Sequence, residues 1–214
     1  MKILSIDTSS KNAIVAITEN EEKIIELNNE EEKTHSQKLM PMIDEAFQKA
    51  KLSLDDIELI VCCLGPGSFT GVRIGISTAK AFADSKNIPV VGVNSLEMLA
   101  HSLDSEGKIC AIIDAGHENA YIGYYELKRG ENGKLQVIQE ELTFLNLTEE
   151  KLKQIQKQYK IANFPKDDLG ITLAKIGYTK YQNGKSGNSS ILSPIYLRKS
   201  QAELALEEKN KSNL

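Results

Sequence analysis

Apolar residues recur along this chain with two distinct periods. Short runs bounded by polar turns predict strands at 3–7, 13–18 and 23–27, so the N-terminus reads as an antiparallel meander with its first turn at 8–12. Leu39, Met40, Ile43, Phe47 and Ala50 then return at three- and four-residue steps, which predicts one apolar face of a helix. Thr34 with Gln37 three residues on has the form of a capping box. Pro41 lies too deep for a free first-turn position and should kink that helix by removing the bond to the carbonyl of Gln37. An unbroken apolar run at 57–64 predicts a buried strand. It feeds the glycine-rich run GPGSFTGVRIG, Gly65 to Gly75, then a helix to about residue 86, a strand at 89–93 and a helix from 95. Alternating strands and helices favour a mixed sheet with parallel strands.

The pattern then repeats. IDTSSKNAIVAI from Ile6 lays over IDAGHENAYIGY from Ile113, matching Asp7 with Asp114, Asn12 with Asn119 and Ala13 with Ala120. The second copy continues with a strand at 135–139, a helix from about 148, a short strand at 159–163 and a helix at 168–181. The shared order predicts a duplicated α/β lobe, with residues 1–104 as the first lobe and 105–194 as a smaller second one. Residues 195–214 are expected to pack back on the first, with Ala202, Ala205 and Leu206 on one helical face before a polar end that frays.

Composition narrows the setting. With 41% hydrophobic and 26% charged residues in 214, the chain is ordinary globular material. The apolar start is cut at Asp7, too early for a secretory signal, and no run approaches the roughly 20 apolar residues that span a bilayer. A cytoplasmic protein is expected. Cys62, Cys63 and Cys110 have no metal-binding spacing and read as buried, reduced thiols, the adjacent pair on opposite faces of a strand. A net charge of -4 argues against this chain alone gripping a polyanion. Seven Glu against two Lys between Glu19 and Lys33 read first as a solvated loop and second as a docking surface for a basic partner.

Candidate chemistry concentrates at two places. Thr70 can cap a helix beginning at Gly71, Val72 and Arg73, whose positive end can hold an anion. The run lacks both the Lys-Ser/Thr ending of a phosphate loop and the spacing of a dinucleotide fingerprint. Gly71, Gly75, Ala79 and Ala83 fall at steps of four, a smooth face on which a neighbour can come close. Interior glycines cost about 1 kcal/mol each relative to Ala, so something must compensate. Two readings stand, internal core packing and a subunit interface, with the helix from Thr34 as the nearest packing partner. Asp7 and Asp114 can face one another across a cleft as a metal-nucleotide site or a carboxylate dyad, or each can simply bond turn amides. The second copy reads Asp-Ala-Gly, and the helical content argues against an all-β aspartic protease. His35, His101 and His117 have no paired ligand spacing; His35 is expected in a first helical turn and the other two at the surface.

Taken in order, LSIDTSS, HSQKLMPMID, GPGSFTGVRIGISTAKAFA, VNSLEMLA, AIIDAGHENAY and PIYLR resemble the marks of the TsaB (YeaZ) family. The resemblance implies the two-lobed actin-like fold of sugar kinases and Hsp70-type ATPases, ribonuclease H-like in its sheets, with a reduced second lobe. It also implies a role in making N6-threonylcarbamoyladenosine at position 37 of tRNAs that read codons starting with A, in support of the TsaD transferase and together with the ATPase TsaE. Where TsaD carries a His-Met-Glu-Gly-His metal motif this chain reads Ser95-Leu96-Glu97-Met98-Leu99, so a non-catalytic assembly subunit is implied, with no metal and no tightly bound cofactor. The alternative is a nucleotide-binding ATPase or kinase-like protein. Its weak ATP or ADP site would involve Asp7, Thr8, Ser9 and Asp114, although Ser9 stands where those enzymes have Gly. The resemblance places a partner interface on His35, Ser36, Leu39, Met40, Ile43, Val72, Ile74, Gly75 and Thr78, used for TsaD or, in isolation, for a homodimer. Any tRNA would be met only through the complex.

Overall fold

Two twisted sheets organise the chain, seen in a computed structural model that describes residues 1–29, 34–163 and 168–198. The first contains β1 (Lys2–Asp7), β2 (Ala13–Glu19), β3 (Glu22–Asn29), β4 (Leu59–Cys63) and β5 (Val90–Val93) in the order β3-β2-β1-β4-β5. The first three strands are antiparallel neighbours, whereas β4 and β5 run parallel to β1 and to each other. The second contains β6 (Gly107–Gly116), β7 (Asn119–Arg129), β8 (Leu135–Asn146) and β9 (Lys160–Ala162) in the order β8-β7-β6-β9, again a meander with one parallel strand added. This is the ribonuclease H-like arrangement of the actin-like fold, and the second sheet repeats the first four strands of the first.

Helices fill the spaces around the sheets. On one face of the first sheet, α1 (His35–Ala50) and α2 (Phe69–Lys86) cover Leu4, Ile6, Val15 and Ile17 with Leu39, Met42, Ile43, Val72, Ile76 and Ala79. On its other face, α3 (Ser95–Ser102) and α5 (Leu169–Gln182) lie between the two sheets, joining Ile3, Val61, Ile109 and Tyr125 in one core. The outer face of the second sheet carries the short α4 (Glu149–Gln156), whose Ile155 packs beside Ile122. Strand alternation explains the split: Cys62 falls in the core under α2 and Cys63 in the core between the sheets, both as free thiols.

Several local expectations need correction. Thr34 stands at the N-cap of α1, but its hydroxyl bonds Ser36 Oγ at 3.0 Å and caps no backbone amide, so no capping box forms. Met40 is 51% exposed, because the buried face of α1 runs through Leu39, Met42, Ile43 and Ala46. Pro41 lies inside this helix, where the sequence placed it, and the helix runs on to Ala50. Helix α2 is capped by Ser68, whose Oγ accepts from the amide of Gly71, and Thr70 lies inside the first turn. Helix α5, placed by sequence order in the second lobe, packs its Gly170 on Ala16 and Ile14 and its Gly177 on Val61 of the first sheet. His101 is half-buried, with Nδ1 at 3.0 Å from the Glu97 carbonyl, whereas His117 is exposed. The tail face of Ala202, Ala205 and Leu206, and the end of the acidic loop at 30–33, lie outside the described residues.

Candidate functional site

The glycine-rich junction is built around the turn that leaves β1. Asp7, Thr8 and Ser9 are all buried. Asp7 Oδ1 accepts from the amide of Ser9 at 2.7 Å, Thr8 Oγ1 donates to the Gly71 carbonyl at 2.7 Å, and the Ser68 amide donates to the Ser9 carbonyl at 2.6 Å. Glycine is required for this approach. A Cβ at Gly67 would sit 2.1 Å from the Ser9 carbonyl oxygen, one at Gly71 2.1 Å from the Thr8 carbonyl oxygen, and one at Gly75 2.4 Å from Thr8 Oγ1. The compensation for two helical glycines is therefore the β1–β2 turn bedded against them, and α1 reaches only the edge of this bed, where a Cβ on Gly71 would sit 2.9 Å from His35 Cδ2. Internal packing accounts for the small-residue stripe, since Ala79 and Ala83 are also buried in the core.

This packing changes the nucleotide reading. Ser9 presents its carbonyl to the helix start where a phosphate would need donors, and Thr8 Oγ1 is already engaged. The three first-lobe candidates, Asp7, Thr8 and Ser9, are closed off from solvent in this conformation. Burial pushes the Asp7 carboxyl above its usual range, against the hydrogen bond from the Ser9 amide and the nearby His35, which act to lower it. Its Oδ2 has no hydrogen-bond partner among the described residues. Asp114 makes the same turn bond, from the Gly116 amide to Oδ1 at 2.8 Å, but stands exposed. Both aspartates thus bond turn amides.

The proposed interface residues divide by burial. Leu39, Ile43, Val72 and Gly75 belong to this chain's own core and offer no surface, because their side of each helix faces the first sheet. His35, Ser36, Met40, Ile74 and Thr78 remain partly or fully accessible. His35 Nε2 lies 2.9 Å from the Ser10 carbonyl, and since a carbonyl only accepts, Nε2 carries the hydrogen. Beside these residues lies a cluster that sequence reading missed. The Arg73 guanidinium stacks 3.9 Å from the centroid of Phe69, one helical turn earlier, and its Nε donates to Tyr196 Oη at 2.7 Å. The spacing of Phe69 and Arg73 was readable as a same-face pair. The contribution of Tyr196 was not, because it arrives from residues 194–198, the PIYLR run, held by the bond from the Ile195 amide to the Leu64 carbonyl at 2.8 Å.

Residues 95–99, which the family resemblance sets against a metal motif, are committed to packing. Ser95 Oγ donates to the Pro66 carbonyl, Leu96 and Leu99 are fully buried, and Glu97 forms an ion pair of 2.6 Å with Lys180. No imidazole is present at 95–99, so these residues do not fit a metal centre. Among the described residues no group of three or more His, Cys, Asp or Glu is arranged to hold a metal. None of the described helices is long and apolar enough to cross a membrane.

Known proteins show where this architecture belongs. A family model for TsaD, the tRNA N6-adenosine threonylcarbamoyltransferase, matches residues 27–182, which places the chain among relatives of that enzyme. The fold is that of YeaZ from Pseudomonas aeruginosa, with a TM-score of 0.74 over 92% of this chain and 99% of that chain at 22% identity. A tRNA threonylcarbamoyladenosine biosynthesis protein TsaB from Buchnera aphidicola is 32% identical over 165 residues, 73% of this chain and 75% of the relative. Another TsaB, from Bacillus subtilis, is 38% identical over 131 residues, a stretch that covers 61% of this chain and 57% of that relative's length. The chain belongs to the TsaB family.

Proposed function

We propose that the chain is a non-catalytic assembly subunit for N6-threonylcarbamoyladenosine formation in tRNA, acting in the cytoplasm by docking the TsaD transferase, with TsaE joining the pair. The observation that carries this reading is the segment 95–99: where the transferase has metal-binding histidines, this chain has a serine bonded to Pro66, two core leucines and a glutamate paired with Lys180. A protein that retains a transferase fold without its metal centre can contribute shape and surface. The surface it contributes is the exposed side of the α1 and α2 starts, where Met40 and Phe69 are exposed apolar side chains. In the absence of TsaD the same surface pairs two copies of the chain, and tRNA is met only through the complex. The turn at 7–9 is filled by its own backbone, which supports no tight nucleotide site and leaves at most weak ATP or ADP binding.

Reconstitution tests the proposal. Purified chain with tRNA and the threonylcarbamoyl adenylate is expected to give no modified nucleoside by mass spectrometry until TsaD is added; transfer by the chain alone would refute the non-catalytic role. Met40→Asp is expected to abolish recovery of TsaD in a pull-down while leaving the thermal melt unchanged, because Met40 is 51% exposed.

A further inference from the structure

The Phe69–Arg73–Tyr196 cluster is more specific than an apolar docking face requires. Phe69 is 42% and Tyr196 48% exposed, their ring centroids are 5.0 Å apart, and Arg73 is held to both. The guanidinium face is occupied by Phe69, and Nε is occupied by Tyr196 Oη. Its two terminal nitrogens have no carboxylate or carbonyl partner among the described residues. An exposed arginine normally loses side-chain freedom when it binds; this one is already held against an aromatic support while remaining exposed.

We infer that Arg73 is a preformed socket for a carboxylate on the docked protein, an Asp or Glu set among apolar side chains. The inference rests on the docking reading above and names the chemistry of the partner at that surface. A planar guanidinium with both terminal nitrogens unpaired matches a carboxylate through two parallel hydrogen bonds. The flanking rings would exclude water from that pair, as the surroundings of interface hot spots do. RNA is the poorer occupant. Binding a phosphate backbone draws on several cations, whereas this cluster sets a single one between two aromatic rings on a chain of net charge -4. Tyr196 is then a positioning residue that aims Arg73 without touching the partner's carboxylate, and this gives the PIYLR run a purpose beyond closing the fold.

Calorimetric titration of the purified full chain with purified TsaD tests this. Arg73→Ala is expected to weaken binding about 30-fold or more, and Arg73→Lys by nearly as much, because a lysine ammonium can neither stack nor offer a fork. Tyr196→Phe keeps the ring and removes the acceptor of Nε; a loss of about three- to tenfold is expected. Raising salt from about 0.1 to about 0.5 M should weaken the wild type more than Arg73→Ala. If Arg73→Ala and Arg73→Lys bind TsaD as the wild type does while Met40→Asp fails, the carboxylate socket is refuted and the docking face stands. Failure of the wild type to bind TsaD at all would remove the docking face and the socket together. Unchanged TsaD binding by Arg73→Ala with weakened tRNA binding would assign the guanidinium to a phosphate and overturn the inference. Should Arg73→Ala melt early, Arg73→Lys and Tyr196→Phe, which keep the bulk of the cluster, decide the question.

Discussion

At the ends of β1 and β6 an aspartate accepts a hydrogen bond from the amide two residues on, at 2.7 Å in the Asp7–Ser9 turn and 2.8 Å in the Asp114–Gly116 turn. The local chemistry is the same, yet Asp7 is 1% exposed and Asp114 stands in solvent. The difference comes from the segment after each parallel strand. Past β4 the chain supplies Gly67, Gly71 and Gly75, which let α2 settle directly on the turn. Past β9 the sequence at 163–168 reads Asn-Phe-Pro-Lys-Asp-Asp, with no glycine, and α5 goes to the other sheet. A duplicated turn can therefore become a rigid pedestal in one copy and remain a free surface feature in the other. The resemblance between the copies lies in the hairpin, and the divergence lies in the helix that covers it.

Substitutions at matched positions should separate the two turns. The largest effect is expected from Gly71→Ala, which puts a methyl 2.1 Å from the Thr8 carbonyl oxygen. The gain in helix propensity offsets little of this overlap, and a loss of about 2–3 kcal/mol, seen as a fall of roughly 5–10 °C in Tm, is expected. Asp7→Asn comes next and runs in the opposite direction. It keeps an oxygen to accept from Ser9 and removes a buried carboxylate, so a gain of roughly 1–2 kcal/mol near neutral pH is expected. Because burial raises the Asp7 carboxyl, the folded chain binds its proton more tightly than the unfolded chain. The wild type is therefore favoured most at or below the ordinary value of 3.8, and loses that advantage as pH rises through the higher folded value. The stability difference between Asp7→Asn and wild type should accordingly widen between about pH 4 and about pH 7; a constant difference would show that Asp7 does not titrate abnormally. Gly116→Ala meets no atoms within 4 Å but must hold a φ of +76°, so a loss of roughly 1 kcal/mol is expected. Asp114→Asn should change stability by less than about 0.5 kcal/mol, as exposed substitutions do, and should show no added pH dependence.

Much of the architecture was legible in the residues. Strands β1, β2, β4 and β5 and helices α2 and α3 track apolar runs and turn residues closely, and the two hairpins announce the repeated sheet. The apolar pattern marks β8 only to residue 139, whereas the strand extends to Asn146; it is a sheet edge whose Glu140 and Glu141 are exposed, and so lacks the signature of a buried strand. Periodicity also cannot say which sheet a helix will cover. For α5 the answer lies in Gly170 and Gly177, whose close approach to Ala16, Ile14 and Val61 is a three-dimensional fit with no linear signature. The same limit applies to the interface residues. Helical position alone groups Leu39 and Ile43 with Met40, and only packing shows that the first two look inward. Tyr196 meets Arg73 across 123 positions of sequence, a distance no motif spans.

The placement of α5 also determines when the protein can be assembled during synthesis. The inner face of the first sheet, with Ile3, Ile14, Leu59 and Val61, is completed by Leu169, Leu173 and Ile176 of a helix that ends at Gln182. A ribosome must therefore make most of the chain before the first five strands are covered on both faces. Until then the apolar inner face is open to other molecules, as in the partly folded states from which larger chains aggregate. A fragment ending near residue 104 would keep that face permanently bare and is expected to stay soluble only in the company of a chaperone.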